Sequence, residues 1–341
     1  MTNMQSLPVS EAGSKLAGKT VSIEDVEAAA ERIRSEALVT PLLRHPLLDE
    51  VTGATVVVKP ENLQRSGSFK FRGAFNRLSL IPLADRPRGV VACSSGNHAQ
   101  GVAASAQLLG MPATIVMPSD APRIKLERTR GYGATVITYD RETEDRDAIA
   151  GDLCSKSGAT FVHPYNDVGV IAGQGTVGLE MAAQAAALGL HLDDVLACTG
   201  GGGLSSGIAL ALESKSPGTV FHTAEPALFD DYKRSLEAGE MLSNPVKSGS
   251  ICDALLSESP GDIGFSVLSR IAGEGVTVTD EEALAAVAFA FTELKLVVEP
   301  GGAVALAALL AGKLPFKGKT VGIVLTGGNI DPQMLKTALS R

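Results

Sequence analysis

Short β-branched runs alternate along the chain with longer segments whose apolar positions recur at helical spacing. The runs are Val56–Val58, Val90–Ala92, Ala113–Met117, Ala134–Thr138, Val195–Cys198, Val220–Thr223 and Val321–Leu325. Several are apolar at every position, as strands covered by helices on both faces must be. Ser22-Ile23-Glu24-Asp25 reads as a capping box ahead of an apolar stripe at Ile23, Val26, Ala30 and Ile33. Thr279-Asp280-Glu281-Glu282 reads as a second, opening a helix rich in Ala and Leu. Strand, Gly-rich or polar turn, and helix follow one another. That order predicts an α/β protein with open, mostly parallel sheets and right-handed crossovers. Ligands of such sheets lie beyond the carboxyl ends of the strands.

Residues 89–163 hold three of these strands with their helices, enough for a small lobe. The expected division is a smaller domain at 89–165 and a larger one built from 1–88 and 166–341. Pro and Asn punctuation in His163-Pro164-Tyr165-Asn166-Asp167 marks the boundary. No low-complexity linker or internal repeat interrupts the chain.

The length, 341 residues, suits two domains or one large α/β unit. With 45% apolar and 20% charged residues, wholesale disorder is excluded. A net charge of −8, aromatics at 4% and no Trp oppose polyanion binding and leave base stacking poorly supplied. No nucleic-acid partner is expected, though one small anion in a local pocket stays compatible. Cys93, Cys154, Cys198 and Cys252 form no C-x-x-C pair or Cys/His cluster, and read as free thiols in a reducing cytosol. The first twenty residues lack the apolar core of a secretory signal. The apolar run from Ala303 to Gly312 is far short of the roughly 20 residues that span a bilayer. A cytoplasmic protein without a membrane partner is the expectation.

The chemistry gathers in the strand-end turns. Gly200-Gly201-Gly202-Gly203-Leu204 follows a strand and opens a helix, where unpaired N–H groups suit a phosphate. A tightly packed turn is the other reading of these glycines. The run matches neither G-x-x-x-x-G-K-[ST] nor G-x-G-x-x-G. Glu225, ending the next strand, keeps open a dinucleotide site and hence a nicotinamide-type oxidoreductase. Lys70 lies just inside a helix start between Phe69 and Phe71. There it is either a desolvated amine able to form a Schiff base or a solvated cation. Ser94-Ser95-Gly96-Asn97-His98 follows another strand, and offers hydroxyls, an amide and helix-start N–H groups to a carboxylate. An ordinary Ser helix cap is the alternative. Thr326-Gly327-Gly328-Asn329 ends the last strand at the same edge.

Five segments in order resemble one family. They are Ser66–Ala74, Ser94–Gly101, Gly200–Gly203, Val298–Ala303 and Leu325–Asp331. Together they are similar to the fold-type II pyridoxal-phosphate enzymes, in the branch of threonine/serine dehydratases (ammonia-lyases) and serine racemases. The likeness runs from about Ile23 to the end. It implies a tryptophan-synthase-β-like fold, two open α/β lobes with the cofactor between them. It also implies pyridoxal phosphate on Lys70, Phe69 against its ring, and Asn97 at its ring hydroxyl. The phosphate would lie in Gly200, Gly201, Gly202, Gly203 and Leu204, and the pyridine nitrogen would meet Thr326. Ser94, Ser95, Asn97 and His98 would take the substrate carboxylate. Lys70 would serve as general base, and Ser95 either as a second acid–base group, permitting racemisation, or as a hydrogen-bond donor only.

The reaction so implied dehydrates a small β-hydroxy amino acid, L-threonine or L-serine, and hydrolysis of the product then gives a 2-oxo acid and ammonia. Hydroxyaspartate dehydration and serine racemisation are the alternatives. A second carboxylate would need an extra cation, for which Arg123 and Arg128 cannot be placed and read as solvent-exposed. Glu225, the Phe229 carbonyl and Asp231 resemble the family's divalent-cation segment, suited to Mg²⁺ or Ca²⁺. An acidic helix start is the other reading there. The family also implies a homodimer or homotetramer. A C-terminal regulatory domain is not expected.

Overall fold

The computed structural model describes residues 20–94, 96–121, 123–140 and 142–341. Among the described residues ten strands form two sheets. β1 (Leu43–Arg44), β2 (Thr55–Pro60), β7 (Asp194–Cys198), β8 (Val220–Pro226), β9 (Ala272–Val278) and β10 (Thr320–Leu325) make one, in the order β1-β2-β10-β7-β8-β9. β3 (Val90–Cys93), β4 (Ala113–Pro118), β5 (Thr135–Tyr139) and β6 (Thr160–Phe161) make the other, in the order β5-β4-β3-β6. Every pairing is parallel except β1 with β2. All seven runs read as strands are strands; β1, β6 and β9 are additions.

Among the described residues thirteen helices cover the sheets. They are α1 (Ile23–Ile33), α2 (Pro46–Thr52), α3 (Lys70–Ser79), α4 (Asn97–Leu108), α5 (Arg123–Gly131), α6 (Arg146–Ser157) and α7 (Val168–Ala187), followed by α8 (Gly203–Lys215), α9 (Asp231–Ala238), α10 (Asp262–Ile271), α11 (Asp280–Thr292), α12 (Pro300–Leu310) and α13 (Pro332–Leu339). Both capping boxes are present, Ser22 with Asp25 and Thr279 with Glu282. On α1 Val26 and Ile33 are buried as expected, Ile23 is half-buried, and the buried alanine is Ala29 rather than Ala30. The apolar run from Ala303 forms α12 as far as Leu310 and is buried through Leu309 against the large sheet, while Ala311 and Gly312 lie beyond the helix and are exposed. Among the described residues no helix is long and apolar enough to cross a membrane. The four cysteines are free.

One buried charge cluster fixes the start of α3. Arg72 is fully buried, its Nε 2.8 Å from Glu61 Oε2 and its Nη1 2.6 Å from Glu180 Oε1. Lys59 joins it through Glu180 at 2.6 Å. A buried guanidinium satisfied on two sides cannot turn without stranding a charge, so the helix bearing it keeps its register.

Candidate active site

Lys70 is the first residue of α3, and its approach is tied to the end of β10. Phe69 N–H donates to the Thr326 carbonyl at 3.1 Å, and Gly328 N–H to the Gly67 carbonyl at 2.9 Å. The half-buried Lys70 donates from Nζ to the Pro164 carbonyl at 2.7 Å and lies 5.2 Å from the Phe69 ring centre. No ion pair joins it to a carboxylate among the described residues. Burial therefore acts alone and lowers its pKa to about 8.

The glycine turn joins β7 to α8. Gly202 caps the helix at φ 87°, with no side-chain hydrogen bond. A Cβ there would lie 1.8 Å from Tyr232 Oη, and one on Gly201 would lie 2.3 Å from the Tyr165 ring. No side chain fits on that face. The first intrahelical bond shown at this end is Ser206 N–H to the Gly202 carbonyl, at 2.9 Å. The N–H groups of the opening turn are thus left for a ligand, as an anion requires.

At the end of β3, Ser94 Oγ accepts the Gly96 N–H at 3.1 Å, and α4 starts at Asn97 without a side-chain cap. His98 turns inward, its Nε2 3.0 Å from the Val162 carbonyl. Burial, helped by the charge of Lys70, lowers its pKa to about 3. The ring is neutral and brings no charge to a substrate carboxylate. Asn97 donates from Nδ2 to Glu299 Oε1 and accepts at Oδ1 from Asn329 Nδ2, the latter at 2.8 Å. Ser95 lies outside the described residues.

One cavity brings these turns together. It is lined by Phe69, Lys70, Ser94, Asn97, His98, Gly200, Gly201, Gly202, Gly203, Leu204 and Thr326. Lys125, Arg146, Tyr165, Asp253 and Ser257 line it as well, and sequence reasoning assigned none of them a role. Lys125 had one visible signal, its i,i+4 spacing with Thr129 on the buried side of α5. Of the two arginines weighed instead, Arg123 is 90% exposed and pairs with Glu127, and Arg128 is exposed but reaches Asn329 at 2.6 Å. The donor set suits a ligand with one phosphate and one aldehyde: an uncapped glycine turn, a low-pKa amine and a hydroxyl at Thr326.

Glu225, Phe229 and Asp231 lie apart from this cavity. Glu225 accepts N–H groups from Tyr232 (2.9 Å) and Lys233 (2.8 Å) at the start of α9, so its oxygens are engaged away from any ribose. Asp231 Oδ1 accepts from Asn244 at 2.6 Å, while its buried Oδ2 has no partner among the described residues. Burial, and then the charge of Asp231, hold Glu225 well above the carboxylate range; burial raises Asp231 to about 6. Phe229 is itself buried, so its bulk is accommodated. Two buried acids with an unanswered oxygen fit a hard divalent cation. Among the described residues no group of three or more His, Cys, Asp or Glu side chains is placed to hold a metal, so a backbone carbonyl would have to complete this set.

Residues 33–327 match the family model described as "Pyridoxal-phosphate dependent enzyme". An L-threo-3-hydroxyaspartate ammonia-lyase of Pseudomonas sp is 45% identical over 310 residues, 91% of this chain and 96% of that protein. One of Saccharomyces cerevisiae is 41% identical over 317 residues, 93% and 95% of the two chains. The solved threonine deaminase of T.th. is 43% identical with a TM-score of 0.85, covering 91% of this chain and 99% of that one. Maize serine racemase is 33% identical with a TM-score of 0.88, covering 94% and 98%. The chain belongs to the pyridoxal-phosphate-dependent enzyme family. Its fold is fold type II, its cofactor is pyridoxal phosphate, and it is an enzyme of the lyase type, grouped with ammonia-lyases and serine racemases.

Proposed function

We propose that this enzyme dehydrates 3-hydroxyaspartate, a β-hydroxy amino acid with a second carboxylate, and that hydrolysis of the product returns the water and releases ammonia. Arg146 carries the reading. Three cationic side chains line the cavity, Lys70, Lys125 and Arg146. Lys70 is reserved for the cofactor aldehyde, and Lys125 is answered by Asp253 at 2.6 Å and Glu299 at 3.3 Å. Among the described residues, the one carboxylate paired with Arg146 is the exposed Asp147, at 3.9 Å. A guanidinium facing a cavity with little carboxylate of its own suits a substrate's β-carboxylate. The two hydroxyaspartate ammonia-lyases noted above support the same choice.

In this reading the Gly200–Leu204 turn holds the cofactor phosphate, Phe69 packs on its ring, Asn97 meets the ring hydroxyl, and Thr326 faces the pyridine nitrogen. Bound pyridoxal phosphate supplies the electron sink for the pair left on the substrate Cα. The uncapped start of α4, with Ser94, Ser95, Asn97 and His98, takes the α-carboxylate. Lys70, once displaced, receives the α-proton, for which a pKa near 8 is suited. The β-hydroxyl leaves as water, and hydrolysis yields oxaloacetate and ammonia. Ser95 serves the opposite face of Cα or the carboxylate alone. Glu225, the Phe229 carbonyl and Asp231 hold a divalent cation remote from the reacting atoms. The chain works in the cytoplasm as a homo-oligomer, with residues 89–165 as its smaller domain.

L-Threonine and L-serine form the second reading, favoured by the likeness to threonine deaminase. A panel of the three amino acids, followed by 2-oxo acid and ammonia release with racemisation in parallel, separates the two. Arg146→Gln is expected to lower kcat/KM for hydroxyaspartate on the order of 100-fold while sparing L-serine. A wild type that prefers threonine or serine, or equal losses on all three substrates, overturns the proposal.

A further inference from the structure

Behind the cavity, a run of polar side chains passes back and forth between two parts of the molecule. Arg128 donates to Asn329 Oδ1 at 2.6 Å. Asn329 donates to Asn97 Oδ1 at 2.8 Å, and Asn97 donates to Glu299 Oε1. Lys125 Nζ lies 3.3 Å from Glu299 Oε2 and 2.6 Å from Asp253 Oδ2. Asn97 starts α4, and Lys125 and Arg128 sit on α5, all within the segment that builds the four-stranded sheet. Asn329, Glu299 and Asp253 belong to the remainder. Every contact in the run crosses from one part to the other.

The run has a direction. An ionised Glu299 can only accept, so the NH₂ end of Asn97 must face it and the carbonyl end must face Asn329. The second N–H of that amide makes no other hydrogen bond among the described residues. Glu299 is 1% exposed and Lys125 is 3% exposed. Removing the ammonium would leave the buried Glu299 side chain with Asn97 as its one hydrogen-bond partner among the described residues. The carboxylate would then lose the contact that holds its Oε2, and the orientation of the amide would lose its support.

We infer that Lys125 is a positioning residue: acting through Glu299, it sets which end of the Asn97 amide meets the cofactor ring. The inference rests on the reading of Asn97 as the partner of the ring hydroxyl. Lys125 also packs beneath the carboxylate loop, where a Cβ on Gly96 would lie 2.8 Å from its Cδ. Loss of that packing would disturb the loop without involving Glu299, so the test must separate the two effects.

A double-mutant cycle on the holoenzyme does so, with Lys125→Met, Glu299→Gln, the pair, and Asn97→Ala as reference. A donor at the ring oxygen favours its deprotonated form, so the ratio of the bound cofactor's two absorbance bands reports the contact. Asn97→Ala is expected to change that ratio, and Lys125→Met to change it in the same sense. Lys125→Met should also lower kcat on the order of tenfold, more than it raises KM, within the range for coupled neighbours. The pair should do no more than either single change. Lys125→Gln replaces Lys125→Met if the latter yields no folded holoenzyme. Additive effects, or a band ratio unmoved by Lys125→Met while Asn97→Ala moves it, overturn the inference. A ratio unmoved by Asn97→Ala removes the reading on which it rests.

Discussion

Lys70 and Lys125 line the same cavity, and their surroundings act on them in opposite senses. At the start of α3, Lys70 has a backbone carbonyl and a phenylalanine ring for neighbours, and burial lowers its pKa to about 8. On α5, burial also works against the charge of Lys125, but Glu299 and Asp253 outweigh it and raise the pKa above the ordinary value. Burial is common to both sites; the carboxylates are not. In the reading proposed above, the amine that reacts is kept away from acids, and the amine inferred to position Asn97 is pinned between two of them.

The largest expected effect comes from removing the amine that has no carboxylate. Lys70→Ala should cost at least about 10⁴-fold in turnover, the upper range for a lost acid–base group, and abolish the absorbance band of lysine-bound cofactor. Turnover that survives would remove Lys70 from the chemistry and end the comparison.

A subtler change sharpens it. In the apoprotein Lys70 is a buried ammonium below pH 8, whereas the unfolded chain holds the proton up to about 10.5. The penalty is full below pH 8, shrinks between there and 10.5, and vanishes above. Lys70→Met should therefore stabilise the apoprotein at pH 7 on the order of 2–3 kcal/mol, with the gain gone at high pH. Denaturant unfolding at several pH values checks this. An apoprotein destabilised by the substitution at pH 7 would mean that Lys70 is not held at an energetic cost.

The smallest effect belongs to the reverse situation, carboxylates short of a cation. Mg²⁺ or Ca²⁺ at about five times Kd should stabilise the protein by about 1 kcal/mol. That gain should disappear in Asp231→Asn. A thermal shift equal in the variant and the wild type would place the cation elsewhere.

The sequence showed strands best where they are central. Val56–Val58 and Val195–Cys198 are apolar on both faces because helices cover both. By contrast β9, an edge strand of sequence Ala-Gly-Glu-Gly-Val-Thr-Val, has two glycines and mostly half-exposed positions, so neither alternation nor an apolar run marks it. β1 and β6 are two residues each, too short for any period. The site followed the same logic. Lys70, Ser94, Asn97, the glycines and Thr326 lie in contiguous strand-end turns, where local residue types carry the chemistry. Lys125 acquires its meaning from Asp253, 128 residues away in sequence, and no local pattern announces such a pair. Arg146 is likewise an ordinary arginine at a helix start until the fold turns it toward the cavity.

β10, the last strand of its sheet in chain order, is not at the rim of that sheet. It lies between β2 and β7, with Val321 beside Val56 on one side and Asp194 on the other. On the ribosome, the four-stranded sheet, drawn from residues 90–161, can assemble while the chain is still growing. The six-stranded sheet cannot: its two halves remain separate until residue 325 has emerged, and the long sequence separation of those pairings slows their closure. Thr326 and the turn that secures Lys70 arrive with that strand. In the reading proposed above, the nascent chain therefore carries the lysine and the glycine turn long before it can hold them together, and cofactor capture must wait for β10.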